Sequence, residues 1–251
     1  MQNEIVIIIQ ARLSSTRLPG KVLKPFIADQ TILSLQVDGL KALGFPIILA
    51  TSINKADDPL ELFAEQHQIE CFRGSESDVL SRFIEATSSK YLIRVCSDNP
   101  FLDINSVHDF IASLEEGNDY ISYMDSKETP AIKTHWGLFT ELVSKKALQK
   151  AYQLTKAHPE KSFYREHVTN YLYGNPEQFK VNLLPAPDML INRSDLRFTV
   201  DTQEDFLNMQ HLYKLVSESK EGFSLANLIS IVDKNPEIKN VMTSGINRFR
   251  K

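Results

Sequence analysis

The sequence carries only two cysteines, Cys71 and Cys96, among its 251 residues. That is too few for a disulfide framework or a zinc cluster. It also lacks a surplus of positive charge: 28 Lys and Arg against 32 Asp and Glu leave a net charge of −4. Proteins that bind nucleic acid or anionic membrane surfaces are usually basic, so neither partner is expected. No apolar run approaches the roughly 18 residues of a membrane-spanning helix. The opening MQNEIVIII has neither a cationic n-region nor a small-residue cleavage site, and it reads as a first strand rather than a signal peptide. A soluble, cytoplasmic protein is the expectation. GxxxxGK(S/T) is missing, which excludes a P-loop, and GxGxxG is missing, which leaves a dinucleotide fold little support. Repeats, low-complexity linkers and a clear domain boundary are absent too, so residues 1–251 are read as one domain.

What is present is a regular alternation. Hydrophobic residues make up 42% of the chain, enough for a sizeable core. IVIII (5–9), PIILA (46–50) and YLIRV (91–95) are short, apolar and largely β-branched, the pattern of interior parallel strands. Between them, TILSLQVDGLKAL (31–43) has apolar residues at helical spacing. A second helix starts at DDPLELFAEQH, with Asp58 as N-cap, Pro59 at the first helical position and Glu61 at the third. Asn105 precedes a helix over SVHDFIASLEE that ends near Gly117. This β-α-β-α-β succession implies right-handed crossovers and a single doubly wound, mostly parallel α/β sheet of Rossmann-like type. YISYM (120–124) and GLFTELV (137–143) read as strands around a polar loop, 126–136, long enough to cover a site. Ser144 caps a helix reaching about Lys156, and another helix is expected from about Tyr164 to Tyr173. After FKVNLLPA (179–186), LRFTVDTQEDF reads as a strand giving way to a helix at Thr202. SLANLISIVDKN (224–235) reads as the terminal helix, with NRFRK a frayed basic tail.

The chemistry is concentrated just after the first strand, in QARLSSTRLPGK. Arg12, Arg17 and Lys21 stand five and four residues apart among Ser14, Ser15 and Thr16. Two guanidiniums can grip phosphate bidentately and an ammonium can act as a point charge. Gly20, after Pro19, allows backbone amides to come close to an anion. The alternative is a solvated surface turn. Two aspartates lie at predicted strand ends, Asp98 in RVCSDNPF and Asp201 in FTVDTQEDF. Either could simply serve as a turn or helix-capping residue. Opposite a polyphosphate loop, both sit where magnesium ligands belong, because Mg²⁺ takes one or two carboxylates together with phosphate oxygens and water.

These residues carry a family resemblance. QARLSSTRLPGKVLKP is similar to the opening signature of sugar cytidylyltransferases, a group that includes the CMP-Kdo and acylneuraminate synthetases, and it is nearest to the SpsF-like branch of spore coat polysaccharide biosynthesis. ATSINKADDPL (50–60), FRGSESDVLSRF (72–83), RVCSDNPFLD (94–103), YREHVTNYLYGNPEQF (164–179) and LRFTVDTQEDF (196–206) continue the resemblance in the same order, over about residues 4–215. It implies the nucleotide-diphospho-sugar transferase type of fold, with a small β-containing acceptor and dimerisation subregion at about 120–190. It also implies CTP as donor, Mg²⁺ as cofactor, pyrophosphate as product and an acidic sugar or small phosphorylated metabolite as acceptor. Arg12, Arg17 and Lys21 match the triphosphate-binding cations, with Ser14, Ser15 and Thr16 in the cradle. Asp98 and Asp201 match the metal ligands, while Ala11, Ser52, Arg73 and Ser97 fall where the family surrounds base and ribose. KTHWGLF (133–139) resembles the acceptor-side segment of the Kdo-type enzymes, which makes His135, Glu141 and Glu166 acceptor-side candidates. The branch usually has a small residue and a glycine before the metal aspartate, where this chain has Cys96 and Ser97, next to the positions that read the base.

Some residues keep a second reading. His135 is either an acceptor contact or a hydrogen-bonded loop histidine, and His167 reads as core or interface. Cys96 reads as a small buried hydrophobe. Tyr164, Tyr171 and Tyr173 are read as a homodimer surface. A metal-dependent glycosyltransferase is the alternative function, although the usual Asp-x-Asp pair is absent at Asp98, which is followed by Asn99 and Pro100. A nucleotide-binding module without turnover is a third.

Overall fold

The β-branched run near the start of the chain forms strand β1 (Ile5–Gln10), and its alternation decides the architecture. Ile5, Ile7 and Ile9 point into one core and Val6 and Ile8 into another, each at most 2% exposed. A strand apolar on both faces must be covered on both, which is the doubly wound arrangement. The computed structural model describes residues 4–249. After β1 come a short hairpin, β2 (Pro25–Ile27) and β3 (Gln30–Thr31), and helix α1 (Ile32–Lys41). Then follow β4 (Ile47–Ser52), α2 (Asp58–Gln66), β5 (Glu70–Gly74), α3 (Val79–Glu85), β6 (Tyr91–Cys96) and α4 (Ser106–Ala112). The second half contributes β7 (Tyr120–Met124), β8 (Glu141–Ser144), α5 (Lys145–Leu154), α6 (Lys161–Glu166), α7 (Asn170–Tyr173), β9 (Val181–Pro185), α8 (Gln203–Glu218), α9 (Leu225–Lys234) and α10 (Pro236–Arg248).

Seven strands form one sheet in the order β5-β4-β1-β6-β8-β7-β9. All neighbours are parallel except β8, which runs antiparallel to both β6 and β7. From β1 the chain passes to β4 on one side and later to β6 on the other. The crevice between the carboxyl ends of β1 and β6 is therefore the topological switch point, where open α/β sheets bind ligands. The loops after β1 and β6, holding Arg12 to Lys21 and Asp98, flank that crevice. None of the described helices is long and apolar enough to cross a membrane.

Several local expectations need correction. α2 is capped at Asp57, not Asp58, and the Asp57 carboxylate makes no capping bond because it is engaged elsewhere. α4 stops at Ala112, and turns carry the chain on to Gly117. The strand expected over 137–143 is confined to Glu141–Ser144. The helix expected from Tyr164 to Tyr173 breaks into α6 and α7, and the break turns Val168 and Thr169 inward, each 1% exposed. Residues 196–200 alternate like a strand but join no ladder; Phe198 N–H donates to Trp136 O at 3.1 Å and Val200 N–H to Asp98 O at 3.0 Å. The expected terminal helix, α9, is followed by a further helix, α10, so Asn247 and Arg248 of the presumed frayed tail are helical. Arg250 and Lys251 lie outside the described residues, as do Met1 to Asn3 of the expected first strand. Caps at Thr31, Ser144 and Thr202 are present, each side chain accepting from a backbone N–H three residues on.

Candidate active site

A cleft of about 410 Å³ opens at the switch point, and the loop after β1 forms much of its wall. Gly20 makes the turn at the end of that loop, at φ 68°, a left-handed conformation that a side chain disfavours, and its N–H donates to Leu13 O at 3.0 Å. The loop is tied down further by a residue not singled out in the sequence. Asp57, fully buried, accepts from Leu13 N–H at 2.7 Å and from the Ser52 hydroxyl. A buried carboxylate with such donors is a strong brace, since bonds to charged groups are worth more than neutral ones.

Lys21 lies at the bottom of the cleft, 9% exposed. Its Nζ donates to Val200 O at 2.5 Å and to Asp98 Oδ2 at 3.2 Å, and stands 3.6 Å from Asp201 Oδ1. The two aspartates predicted from strand ends a hundred residues apart thus converge on one ammonium. Asp98 is positioned by Gln36 on α1, whose amide donates to Cys96 O at 3.0 Å and Asn99 O at 2.9 Å, and by Val200 N–H on its own carbonyl. Asp201 is held from the other side. Arg17 donates to its Oδ1 at 2.7 Å and Arg197 to its Oδ2 at 2.6 Å. Burial alone would raise the pKa of Asp201, but the charge of Lys21 and the bonds from Arg197 and Arg17 hold it at about 2. It is an anion at any physiological pH.

The structure brings Arg12, Ser14, Ser15, Thr16, Arg17, Lys21, Ser97, Asp98 and Asp201 together along the wall of the cleft. The Ser14 hydroxyl donates to Glu76 at 3.2 Å, and Arg12 stands 3.7 Å from Glu166. Glu166 is thus brought to the cleft's rim. Ala11, Ser52 and Arg73 line a supporting layer instead. Ala11 N–H bonds Ala50 O at 3.2 Å. Arg73 donates to the carbonyls of Ser52 and Asn54 and pairs with Asp58 and Glu61.

The remaining acceptor-side candidates go elsewhere. His135 lines a second cavity of about 210 Å³ beside Lys133, Trp136 and Arg193, which shares no lining residue with the cleft. Glu141 lines no described cavity: it is 2% exposed in the sheet and bonds Arg94, the Tyr120 hydroxyl at 2.6 Å and the Thr169 hydroxyl at 2.8 Å. Tyr173 packs on Tyr120, while Tyr164 and Tyr171 meet edge to face with His158 nearby. His167 lies against Phe163.

Besides Glu76, which lines the cleft, three supporting residues are not singled out by the sequence. Arg197, a cation inside the apolar run LRFTV, was the one with a sequence signal, four residues before Asp201. Asp57 was hidden by its neighbour Asp58, since either could cap the helix. Gln36 gave none, being one polar residue on a helix.

Comparisons with known proteins place the chain in a family and match its fold. The family model described as cytidylyltransferase matches residues 6–245. The chain is 33% identical over 245 residues to the spore coat polysaccharide biosynthesis protein SpsF of Bacillus subtilis, covering 94% of this chain and 96% of that protein. A solved cytidylyltransferase from Leptospira borgpetersenii superimposes with a TM-score of 0.77 at 26% identity, over 94% of this chain and 96% of its own. A CMP:2-keto-3-deoxy-manno-octonic acid synthetase solved with CTP shares the fold, with a TM-score of 0.61 at 14% identity, over 84% of this chain and 99% of its own.

Proposed function

The chain belongs to the cytidylyltransferase family, and we propose that it transfers CMP from CTP to an acidic sugar or a small phosphorylated metabolite, releasing pyrophosphate, in surface polysaccharide or glycoconjugate biosynthesis. The observation that carries this reading is the meeting of Lys21, Asp98 and Asp201 at one point beneath a loop of cations. An acceptor oxygen attacks the α-phosphorus in line, forming the new P–O bond as the bond to the β-phosphate bridge breaks. Chemistry of this kind needs positioning and charge neutralisation more than covalent help from the protein.

Each resting cation already has a carboxylate partner: Arg12 has Glu166, Arg17 has Asp201, and Lys21 has both aspartates. Arg12 and Arg17, half exposed, are free to turn toward phosphate oxygens. Lys21 is fixed by Val200 O and offers its remaining donors from below. The donor set fits Mg²⁺: two carboxylates lie within reach of one cation in a polar cleft, and such hard oxygens are what the ion takes. Asp98 and Asp201 would hold it, and when bound it supplies charge neutralisation at the triphosphate. Family membership favours this reading over the glycosyltransferase alternative. The similarity to SpsF supports the polysaccharide assignment.

The test is pyrophosphate release from CTP, UTP, ATP and GTP against a panel of acidic sugars and phosphorylated metabolites, with and without Mg²⁺. CTP-specific, Mg²⁺-dependent release with one acceptor class is expected. Release of a nucleoside diphosphate from a nucleotide sugar, with none of pyrophosphate, would overturn it.

A further inference from the structure

The last described residue of the chain lies against Arg17, a residue of the cleft wall. Phe249 follows α10, and its N–H donates to Gly245 O at 3.0 Å, closing the helix. Its ring lies near three guanidiniums: besides that of the neighbouring Arg248 at 5.9 Å, the Arg17 carbon lies 4.6 Å from the ring centroid and that of Arg197 5.3 Å. Arg17 and Arg197 are the guanidiniums that hold the two oxygens of Asp201. α10 is shaped to sit there. A Cβ on Gly245 would come within 2.6 Å of Arg197 Nε, so only glycine lets the helix approach this closely. Arg248 stands 3.8 Å from Glu204 on α8, a second tether for the tail.

We propose that Phe249 is a positioning residue for nucleotide binding, a platform that keeps the Arg17 guanidinium at the cleft while it exchanges Asp201 for phosphate. Arg17 is half exposed and sits on a loop, so without a platform its long side chain would sample solvent, and ordering it would cost entropy on binding. A guanidinium stacked on a ring can rotate in its own plane, trading one anion for another without leaving the face. Arg197 cannot do this, because it is 2% exposed and also 3.4 Å from Asp205. The ring therefore serves one fixed and one mobile arginine, and the mobile one is in the triphosphate loop. A lone aromatic in a basic tail, read from sequence as frayed, becomes part of the nucleotide site.

The inference rests on the nucleotide reading of the cleft, and the experiment separates the two. CTP with Mg²⁺ is titrated calorimetrically, with no acceptor, into the wild-type chain, Phe249→Ala, Phe249→Trp, Arg17→Ala and the Arg17→Ala/Phe249→Ala double variant. An exposed cation–π contact predicts a Kd about 2–5-fold weaker for Phe249→Ala. Phe249→Trp should restore wild-type affinity, and Phe249→Ala should add nothing once Arg17 is gone. Wild-type affinity in Phe249→Ala, or an equal loss with and without Arg17, would overturn the proposal, the latter by showing a general effect of α10. Failure of the wild-type chain to bind CTP would overturn the nucleotide reading and this inference with it.

Discussion

Replacing Glu141 tests whether it belongs to the core or to an acceptor site. The structure gives it three partners and almost no solvent: Arg94 at 8% exposure, the Tyr120 hydroxyl and the Thr169 hydroxyl. Burial by itself lowers the pKa of Arg94, yet Glu141 and its surroundings hold the guanidinium above its ordinary value, so it stays charged in the core. Glu141→Ala would strand that charge and leave two hydroxyl donors without their acceptor. Removing one partner of a buried pair typically costs about 3–5 kcal/mol, and the two hydroxyl bonds are part of the same network rather than additions to it. For a chain of this size each kcal/mol moves Tm by about 2–4 °C, so a fall of about 6–20 °C is expected. Glu141→Gln keeps the shape and the one oxygen that accepts from both hydroxyls, and should lose less. The assay is thermal unfolding by circular dichroism, together with CTP binding measured well below the new Tm. Glu141 contacts no cleft residue through its carboxylate, so affinity for CTP should stay within about twofold in the folded fraction. A Glu141→Ala variant with wild-type Tm but no pyrophosphate release would refute the core assignment and return this glutamate to the acceptor.

The site itself gives a complementary result. Lys21→Ala or Asp98→Asn should fold and lose about 10²–10³ in turnover, the usual cost of one preorganised charge-stabilising group; near-wild-type pyrophosphate release by either, under matched conditions, would remove its role. Asp57→Ala should loosen the loop after β1 by removing its brace on Leu13 N–H and Ser52. A burial-dependent stability loss of about 1–3 kcal/mol and weaker CTP binding are expected, and a variant unchanged in both would contradict the brace. Asp195 gives the pH dependence. Burial would raise its pKa, but bonds from Arg193 and Lys239 bring it to about 2, below the ordinary carboxylate value. A depressed folded pKa contributes stability above about pH 4 that is lost as pH falls through about 2. The stability gap between the wild-type chain and Asp195→Asn should thus be constant from pH 7 to about 4 and close by about pH 2; a gap that persists at pH 2 would exclude the ion pairs as its cause.

The first half of the fold was legible because its signals were redundant. β1, β4 and β6 are continuous apolar runs whose burial on both faces forces parallel packing, and the helix between β3 and β4 begins with a reciprocal Thr31–Ser34 cap. The second half was less legible because polar contacts, not periodicity, set its boundaries. Tyr164 to Tyr173 has helical spacing throughout, yet the chain breaks to bring Thr169 onto Glu141 and Val168 into the core. Leu196, Phe198 and Val200 alternate like a strand, but Phe198 and Val200 bond to loop carbonyls at Trp136 and Asp98, a partnership no local pattern encodes. The cleft residues near β1 were found as a group, since three cations and three hydroxyls stand within ten residues. Asp57 and Phe249 were not, because they meet Leu13 and Arg17 from far along the chain; Arg197, only four residues from Asp201, was masked by the apolar run around it.

If the cleft binds a nucleotide with a divalent cation, as proposed above, the pairing of its charges gives a reason for the two to enter together. At rest Asp201 is contacted by Lys21, Arg17 and Arg197, and Asp98 by Lys21. A triphosphate entering alone would draw Arg17 away from Asp201 and bring its own negative charge toward two carboxylates, in a cleft where like charges at short range are costly. A divalent cation entering alone would meet carboxylates already neutralised, with Lys21 pinned between them by Val200 O. Together, on the proposed reading, the two would exchange partners: Arg17 would pass to phosphate while Asp98 and Asp201 would hold the metal, and no buried charge would be stranded. Arg197 makes the exchange tolerable, because it stays on Asp201 while Arg17 leaves. On this reading the fixed guanidinium would hold the carboxylate and the mobile one would serve the substrate, a division of labour set by an exposure of 2% against one of 51%.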